Sequence, residues 1–460
     1  MDCALTKTRF KDSGSQWLGK IPESWGLKKL KFLVSCVGGG TPSTGTPEFW
    51  GGDIPWVSPK DMKCASIKST EDYLTELGVV SSATSLINVG AVLVVVRSGI
   101  LRHSIPVARN AVQVALNQDM KALIPKGALT SSFLYWIIEG NQSQLLPLWS
   151  KPGCTVESIE LGYLLNTEIP LPSADEQETI VRFLDYKTGQ IDALIAKKEA
   201  LLARLAEKRI ALLSHAVTKG LDPSALMKDS GVAWLGEIPA HWVMTRLRFL
   251  ALGIEQGWSP QCNNQQAAIE QWGVLKVGCV NGEAFDENEN KALPDDLEPR
   301  TQYQVRDGDI LVSRANTKEL LGSAALVRDV RAKLLLCDKL YRITPNESVN
   351  PDYLVRFLRS SIARFQYERN ATGASGSMQN IGQDTLKDLP IPLPPKSEQD
   401  RIAEYLHGVF NNTSAIESRV QGVINKLKEY RSSLITNAVT GKIDVRQFAL
   451  PTTGQEAAHA

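Results

Sequence analysis

KDSGSQWLGKIPESWGLKKLKFL, residues 11–33, returns as KDSGVAWLGEIPAHWVMTRLRFL at residues 228–250. The offset is 217 throughout, and Lys, Asp, Ser, Gly, Trp, Leu, Gly, Ile, Pro, Trp, Leu, Phe and Leu recur in register. A second match follows at an offset of 222, IPLPSADEQETIVRFL (169–184) against IPLPPKSEQDRIAEYL (391–406). Further on, Leu205, Arg209, Leu212, Ala216, Val217 and Thr218 pair with Leu427, Arg431, Leu434, Ala438, Val439 and Thr440, and AVTKG and AVTGK close the two copies. The chain is a duplicated unit, and that decides how the rest is read.

Between these frames the copies diverge. Only scattered marks survive, such as GAVLVVVR (90–97) beside GDILVSR (308–314) and Asp119 beside Asp338. A duplicated catalytic domain would keep its chemistry in both copies. Divergent centres between like frames suit two modules that recognise different things.

Apolar, β-branched runs with Gly/Pro edges predict strands at 30–37, 89–97 and 309–313. GGGTP (38–42) and STGTPEFWGG (43–52) are loops, while FLYWII (133–138) and YLVRFLRSSIARF (353–365) are short helices packed on a sheet. Each variable part is therefore a mixed α+β domain.

The constant tails differ. From Asp175 to about Thr218, and from Ser397 to about Thr440, there is no Pro and almost no Gly. Ile416, Val420, Val423, Leu427, Tyr430 and Leu434 follow 4–3 spacing, the seam of a coiled coil. Leu194, Lys198, Leu201, Leu205, Lys208 and Leu212 fill the same slots in the first copy, with the two lysines interrupting the stripe. Two related helices a full domain apart are expected to pack on each other, one variable domain at each end, as a ruler. The expected layout is a first recognition domain over 1–173, a helix over 174–218, a second domain over 219–393, a helix over 394–441 and a tail over 442–460.

At 460 residues, 43% hydrophobic and 22% charged, the chain has the composition of a soluble globular protein of several domains. Its N-terminus lacks the apolar core of a secretory signal. Its most apolar run, Val89 to Val96, falls far short of the roughly 20 residues of a membrane helix. Seven cysteines without a CxxC pair point to reduced thiols in a cytoplasm, not to disulfides or zinc. Lys plus Arg number 51 against 50 Asp plus Glu, so net charge neither favours nor excludes nucleic acid. The acidic cluster of Asp286, Glu287, Glu289, Asp295, Asp296 and Glu298 is expected to be a solvated loop facing away from any polyanion.

No catalytic or metal motif is present: there is no P-loop, GxSxG elbow or HExxH pair, and the five histidines form no cluster. Asn350-Pro351-Asp352-Tyr353 resembles the Asn/Asp-Pro-Pro-Tyr/Phe tetrapeptide of DNA methyltransferases, but its second Pro is Asp. Its counterpart Thr130-Ser131-Ser132-Phe133 keeps only the aromatic, so a helix start with the aromatic in the core is expected.

The doubled frames WLGxIPxxW and IPLPxxxEQ, with AVTxG endings to long helices, resemble the specificity subunit of type I restriction–modification systems over about residues 11 to 445. The resemblance implies that each variable part is a target-recognition domain reading one half of a split double-stranded DNA site. It implies that the constant helices pair antiparallel, set the gap between half-sites and dock two modification (methyltransferase) subunits. It implies that S-adenosylmethionine, ATP and Mg are held by partner subunits and none by this chain. Those partners methylate adenine, and a restriction (motor–nuclease) subunit cleaves unmodified DNA.

Base identity is legible in the major groove, while phosphate contacts position the reader. The candidate DNA contacts are Lys60, Lys63, Arg97, Arg102, His103 and Lys151 in the first module. In the second they are Lys276, Arg314, Asn316, Lys318, Arg369, Ser375, Ser377 and Gln379. Asp12, Trp17, Trp25, Asp229, Trp234 and Trp242 are structural, since constant residues cannot encode two different half-sites. The rival readings are an enzyme fused to its recognition domain, which lacks an unassigned stretch large enough for a catalytic core, and a protein-binding scaffold of duplicated modules.

Overall fold

The repeated frame folds the same way twice in a computed structural model that describes residues 9–15, 17–151, 156–373 and 378–450. Phe10–Asp12 pairs antiparallel with Lys20–Pro22, and Met227–Asp229 with Glu237–Pro239. The Asp-Ser-Gly stretch makes the turn: Asp12 and Asp229 each accept the amide of the glycine two residues on at 2.9 Å. Gly14 and Gly231 both take φ 73°, which a side chain would oppose. Trp25 and Trp242 are buried, and Lys11 and Lys228 donate to their carbonyls at 2.6 Å.

The variable centres share a topology despite their sequences. The first has a five-stranded sheet in the order Val34–Gly38, Met120–Pro125, Val92–Val95, Val107–Asn110, Ser66–Ile67. The second repeats the first four positions with Ala251–Gln256, Leu340–Pro345, Ile310–Ser313 and Ala324–Leu326. VLVV and ILVS are buried at every residue because they are interior strands covered on both faces. A smaller sheet accompanies each: Trp50–Val57 pairs parallel with Ala115–Leu116 and antiparallel with Asp72–Leu74. Gly273–Leu275 does the same with Leu334–Leu335 and Asn290–Ala292.

Helices Ser131–Gly140 and Pro351–Leu358 pack on the sheets. Asn350 caps its helix by accepting the amides of Asp352 and Tyr353 at 2.8 and 3.2 Å, and Tyr353 is fully buried. The tetrapeptide is thus a helix start, as is Thr130 with buried Phe133. The single helix expected over 353–365 is two, because Ser360 caps a second one, Ser361–Asn370.

The tails are continuous helices, Ala174–Lys219 of 46 residues and Lys396–Val439 of 44. Each is about 65–70 Å long at ~1.5 Å per residue. The chain divides into two compact units, residues 1–198 with 422–460, and residues 199–421. Each long helix therefore gives its beginning to one unit and its end to the other. In the first unit Arg431 meets Asp192 at 2.9 Å, and in the second Arg209 meets Glu417 at 3.6 Å. Advancing along one helix means stepping back along the other, so the coiled coil is antiparallel.

Its buried stripe is turned from the expected seam. The enclosed positions are Ile191, Ile195, Lys198, Leu202, Leu205, Arg209, Leu212 and Ala216, matched by Thr413, Glu417, Val420, Ile424, Leu427, Arg431, Leu434 and Ala438. Lys198, Leu205, Leu212, Val420, Leu427 and Leu434 are common to both stripes. Leu194, Leu201, Lys208, Ile416, Val423 and Tyr430 are exposed instead. A helix that packs on both a partner helix and a module buries a wider stripe than a coiled-coil seam, and this sequence offers apolar residues on both sides of the shared line. Ala216 packs in the core of the second module, and its counterpart Ala438 is likewise buried.

Each helix ends on a left-handed glycine, Gly220 at φ 77° and Gly441 at φ 74°. A Cβ on Gly220 would stand 3.2 Å from the Trp242 ring, and one on Gly441 would stand 3.0 Å from the Trp25 ring. The constant motifs of opposite copies thus meet, the first helix ending on the second copy's frame and the second helix on the first copy's. No helix among the described residues is long and apolar enough to cross a membrane.

Candidate nucleic-acid interface

In the first module one end of the large sheet is set by Gly38↔Lys121, Met120↔Val95 and Val94↔Val107. The loops leaving there are 39–46, 96–106 and 117–119. The parallel pair Ser66↔Arg109 brings segment 58–65 to the same end. Gly39 is needed because a Cβ would stand 2.2 Å from the Leu116 and Asn117 carbonyls, and the next amide, of Gly40, donates to Leu116 at 2.9 Å. The second module repeats the crossing: a Cβ on Gly257 would meet the Leu336 carbonyl at 2.1 Å, and Trp258 donates to that carbonyl at 3.0 Å. Rigid backbone crossings thus carry loops of different sequence at the same end of both sheets.

All six candidates of the first module lie at this end. Arg97 bridges Ser158 through the backbone, as Lys151 does by donating to Ser158 at 2.9 Å, so 97–103, 150–151 and 156–160 form one patch. Arg102 pairs with Glu157 at 3.1 Å and Lys151 with Glu160 at 3.7 Å. Lys60 sits in a 3-10 turn against Asp72 and Glu71, whose hydrogen bonds raise its pKa. Lys63, Arg97 and His103 are exposed and have no side-chain partner among the described residues. Exposed ion pairs exchange readily, so the paired cations are held in place without being consumed.

The second module departs further from expectation. Asn316 is buried; its amide donates to Asn281 at 3.1 Å and its carbonyl oxygen accepts Thr317 at 2.9 Å. Its hydrogen-bonding edge is used internally, so it builds the loop and does not read a base. Lys276 lies beside Glu289 at 4.0 Å, on the edge carrying the acidic cluster, which is a poor place for a phosphate contact. Asp286, Asp295, Asp296 and Glu298 of the cluster are exposed as expected, while Glu287 is half-buried and accepts the Arg331 amide at 2.9 Å.

Arg314 is half-buried, donates to the Asp338 carbonyl at 3.3 Å and lies 5.8 Å from the Tyr341 ring centre. Lys318 and Arg369 are exposed, and Gln379 pairs with Asn316 in a two-residue ladder. Arg314, Lys318, Arg369 and Gln379 therefore share one end of the module. Ser375 and Ser377 lie outside the described residues. Lys339, exposed beside Asp338, and Gln118, bonded to Thr41, belong to the same ends and were missed. The recurring Asp119 and Asp338 marked both loops.

Each module is held to its helices by an arginine kept in both repeats. Glu283 is met by Arg209, Arg356 and Arg359 at 2.7, 3.0 and 3.3 Å. Arg209 and Arg356 each lie 4.3 Å from the Phe410 ring centre. Burial alone would raise the Glu283 pKa, but Arg359, Arg209 and Arg356 hold it below the usual carboxylate value. The counterpart Arg431 bridges Glu139 at 3.4 Å and Asp192 at 2.9 Å. Within each unit the arginine thereby ties a long helix to a module: Arg431 to the module helix of Glu139, and Arg209 to the Glu283 loop.

Comparison with known proteins agrees with this architecture. A family model described as the type I restriction modification DNA specificity domain matches residues 22–204 and 272–426. The chain is 44% identical over 177 residues to the EcoR124I/EcoR124II specificity subunit of Escherichia coli, covering 38% of this chain and 41% of that one. It is 22% identical over 443 residues to the MjaVIII specificity subunit of Methanocaldococcus jannaschii, covering 93% and 95%. The first two curated relatives it matches are spanned over only 37% and 41% of their lengths. Among solved structures, a chain of a type I R-M system superposes with a TM-score of 0.69 at 18% identity, covering 92% of this chain and 99% of that one. The HsdS subunit from Thermoanaerobacter tengcongensis superposes with a TM-score of 0.50 at 17% identity, covering 94% and 100%.

Proposed function

Because the chain belongs to the type I restriction–modification DNA specificity family, we propose that it reads a split DNA site, one half with each module, and docks the subunits that act there. The observation that carries this reading is the pair of like scaffolds whose loops differ at the same end of each sheet. Duplicated geometry with divergent loops is what two different half-sites require.

In this reading Lys60, Lys63, Arg97, Arg102, His103 and Lys151 contact one half-site, and Arg314, Lys318, Arg369 and Gln379 the other. The long helices set the gap. Their exposed stripe of Leu194, Leu201, Ile416, Val423 and Tyr430 offers apolar surface to partner helices. Chemistry is left to the partners: modification subunits with S-adenosylmethionine methylate adenine, and restriction subunits use ATP and Mg. The complex works in the cytoplasm.

A genome-wide map of adenine methylation, with and without the gene, tests this directly. A bipartite motif that vanishes on deletion is expected; an unchanged map rejects the reading. A protein-binding scaffold would instead show no DNA affinity that falls steeply with salt.

A further inference from the structure

Phe32 and Phe249 are equivalent in the two repeats and 68% and 66% exposed. They lie in KLKFL and RLRFL, where Leu30, Leu33, Leu247 and Leu250 are all buried. The backbone presents both in the same way. Leu30 donates to Thr167 at 2.9 Å and Leu247 to Leu389 at 3.1 Å, while Leu33 accepts from Lys126 at 2.7 Å and Leu250 from Asn346 at 2.9 Å. The flanking cations are held in both units, by different partners: Lys31 donates to the Asn166 side-chain oxygen at 2.9 Å, and Arg246 and Arg248 share the Asp388 carboxylate, leaving a net positive rim in each. Each unit thus displays one exposed phenyl ring rimmed by fixed positive charge.

A large apolar side chain kept exposed in both copies does nothing for the core, and a constant residue cannot distinguish two half-sites. Nor does it sit with the reading loops. Strands Val34–Gly38 and Ala251–Gln256 begin next to these rings and end at the loop-bearing end, roughly 16–20 Å away at ~3.3 Å per residue. A feature that is constant, paired and away from the variable loops fits a partner that is itself the same twice.

We propose that Phe32 and Phe249 are the anchors of two equivalent docking points, each for one modification subunit, which receives the ring in an apolar pocket rimmed by carboxylates. This rests on the docking role proposed above and gives it particular residues. Buried aromatic anchors flanked by charge are where binding energy concentrates at interfaces.

The test uses the full chain co-expressed with its modification subunit, comparing wild type, Phe32→Ser, Phe249→Ser and the double variant by native mass spectrometry. Two bound subunits are expected for wild type, one for each single variant and none for the double, at concentrations about tenfold above the wild-type Kd. Lys31→Glu with Arg248→Glu should weaken binding in the same direction. Melting temperatures near wild type confirm that these surface changes leave the chain folded. Two subunits retained by the double variant overturn the anchors alone. Loss of DNA affinity with assembly intact also overturns them and assigns the patch to phosphate. A wild-type chain that recruits no modification subunit overturns the docking role itself.

Discussion

Gln399 receives the backbone amide of Asn350 on its side-chain oxygen at 2.7 Å, while its side-chain nitrogen donates to the carbonyls of Ser348 and Pro394. Gln177 repeats the clamp. It accepts the Thr130 amide at 2.9 Å and donates to Ala128 and Pro172 at 2.8 and 3.1 Å. Each glutamine opens a long helix and ties it to the start of a module helix. Both glutamine side chains are buried, so an amide left without its partners there has little water to replace them.

Replacing Gln399 by Leu keeps the volume but strands a buried amide and two carbonyls. Each buried group left unsatisfied costs about 1–3 kcal/mol, partly relieved by relaxation. A loss of about 2–4 kcal/mol is expected in urea denaturation, and Gln177→Leu should match it in the other unit. A loss below about 0.5 kcal/mol, the level of an ordinary surface change, would show that the clamp is ornamental.

That clamp shows how much was legible. The Gln of IPLPxxxEQ was visible as a constant residue, but its partners Thr130 and Asn350 lie 47 and 49 residues upstream, beyond any periodic pattern. Helix lengths were readable because 44 residues without Pro leave few alternatives, whereas the buried stripe was not. Two 4–3 stripes share Leu205 and Leu427, and only packing against a module chooses between them. Loop contacts were least legible. Asn316 looks like a base reader in sequence, and only its bond to Asn281 shows that its amide is occupied.

The arginine lock makes an acid-sensitive prediction. The Glu283 carboxyl is held below its ordinary pKa, so its contribution is present above the unfolded value of about 4.3 and lost as pH falls through the lower folded one. Glu283→Gln should therefore be less stable than wild type at pH 7, with the difference closing below about pH 4. Arg209→Leu should cost on the order of 1–2 kcal/mol at pH 7, a buried-pair figure reduced because Glu283 is half-exposed. Arg209→Lys should restore little, since an ammonium neither forks onto two carboxylates nor stacks on Phe410 as guanidinium does. Thermal melts across pH 3–8 would decide it, and parallel curves for wild type and Glu283→Gln would remove Glu283 from the account.

Exchange of residues 228–390 for the matching part of a relative should alter one half-site and leave the other. Lys228 on Trp242 travels with the graft, while its strand Val243–Arg246 pairs with Pro390–Leu393, of which 391–393 belong to the retained constant frame, so the graft joins a strand it is built to meet. Methylation mapping after the exchange reads both halves at once. A change in both would show that the modules do not read independently.

The spacing role of the helices requires matched insertions, because the coil is antiparallel. Asp192 faces Arg431 in one unit and Arg209 faces Glu417 in the other, so Leu201 on the first helix and Gln421 on the second each lie between the two pairs. Seven residues added after Leu201 and seven after Gln421 keep the buried stripe in phase and lengthen both helices by about 10 Å at ~1.5 Å per residue. At about 3.4 Å of rise per base pair, the preferred gap between half-sites should grow by up to ~3 base pairs. Neither half-site should change, because no reading loop is touched. Seven residues in one helix alone would slip Arg209 from Glu417 or Arg431 from Asp192 and should cost stability instead of lengthening the gap. Two residues in each helix would turn the stripe by roughly 200° and expose Leu205 and Leu427, damaging assembly. Methylation maps of cells carrying each variant give the gap directly. A paired heptad variant that stays active on the original gap alone means that the helices do not set it.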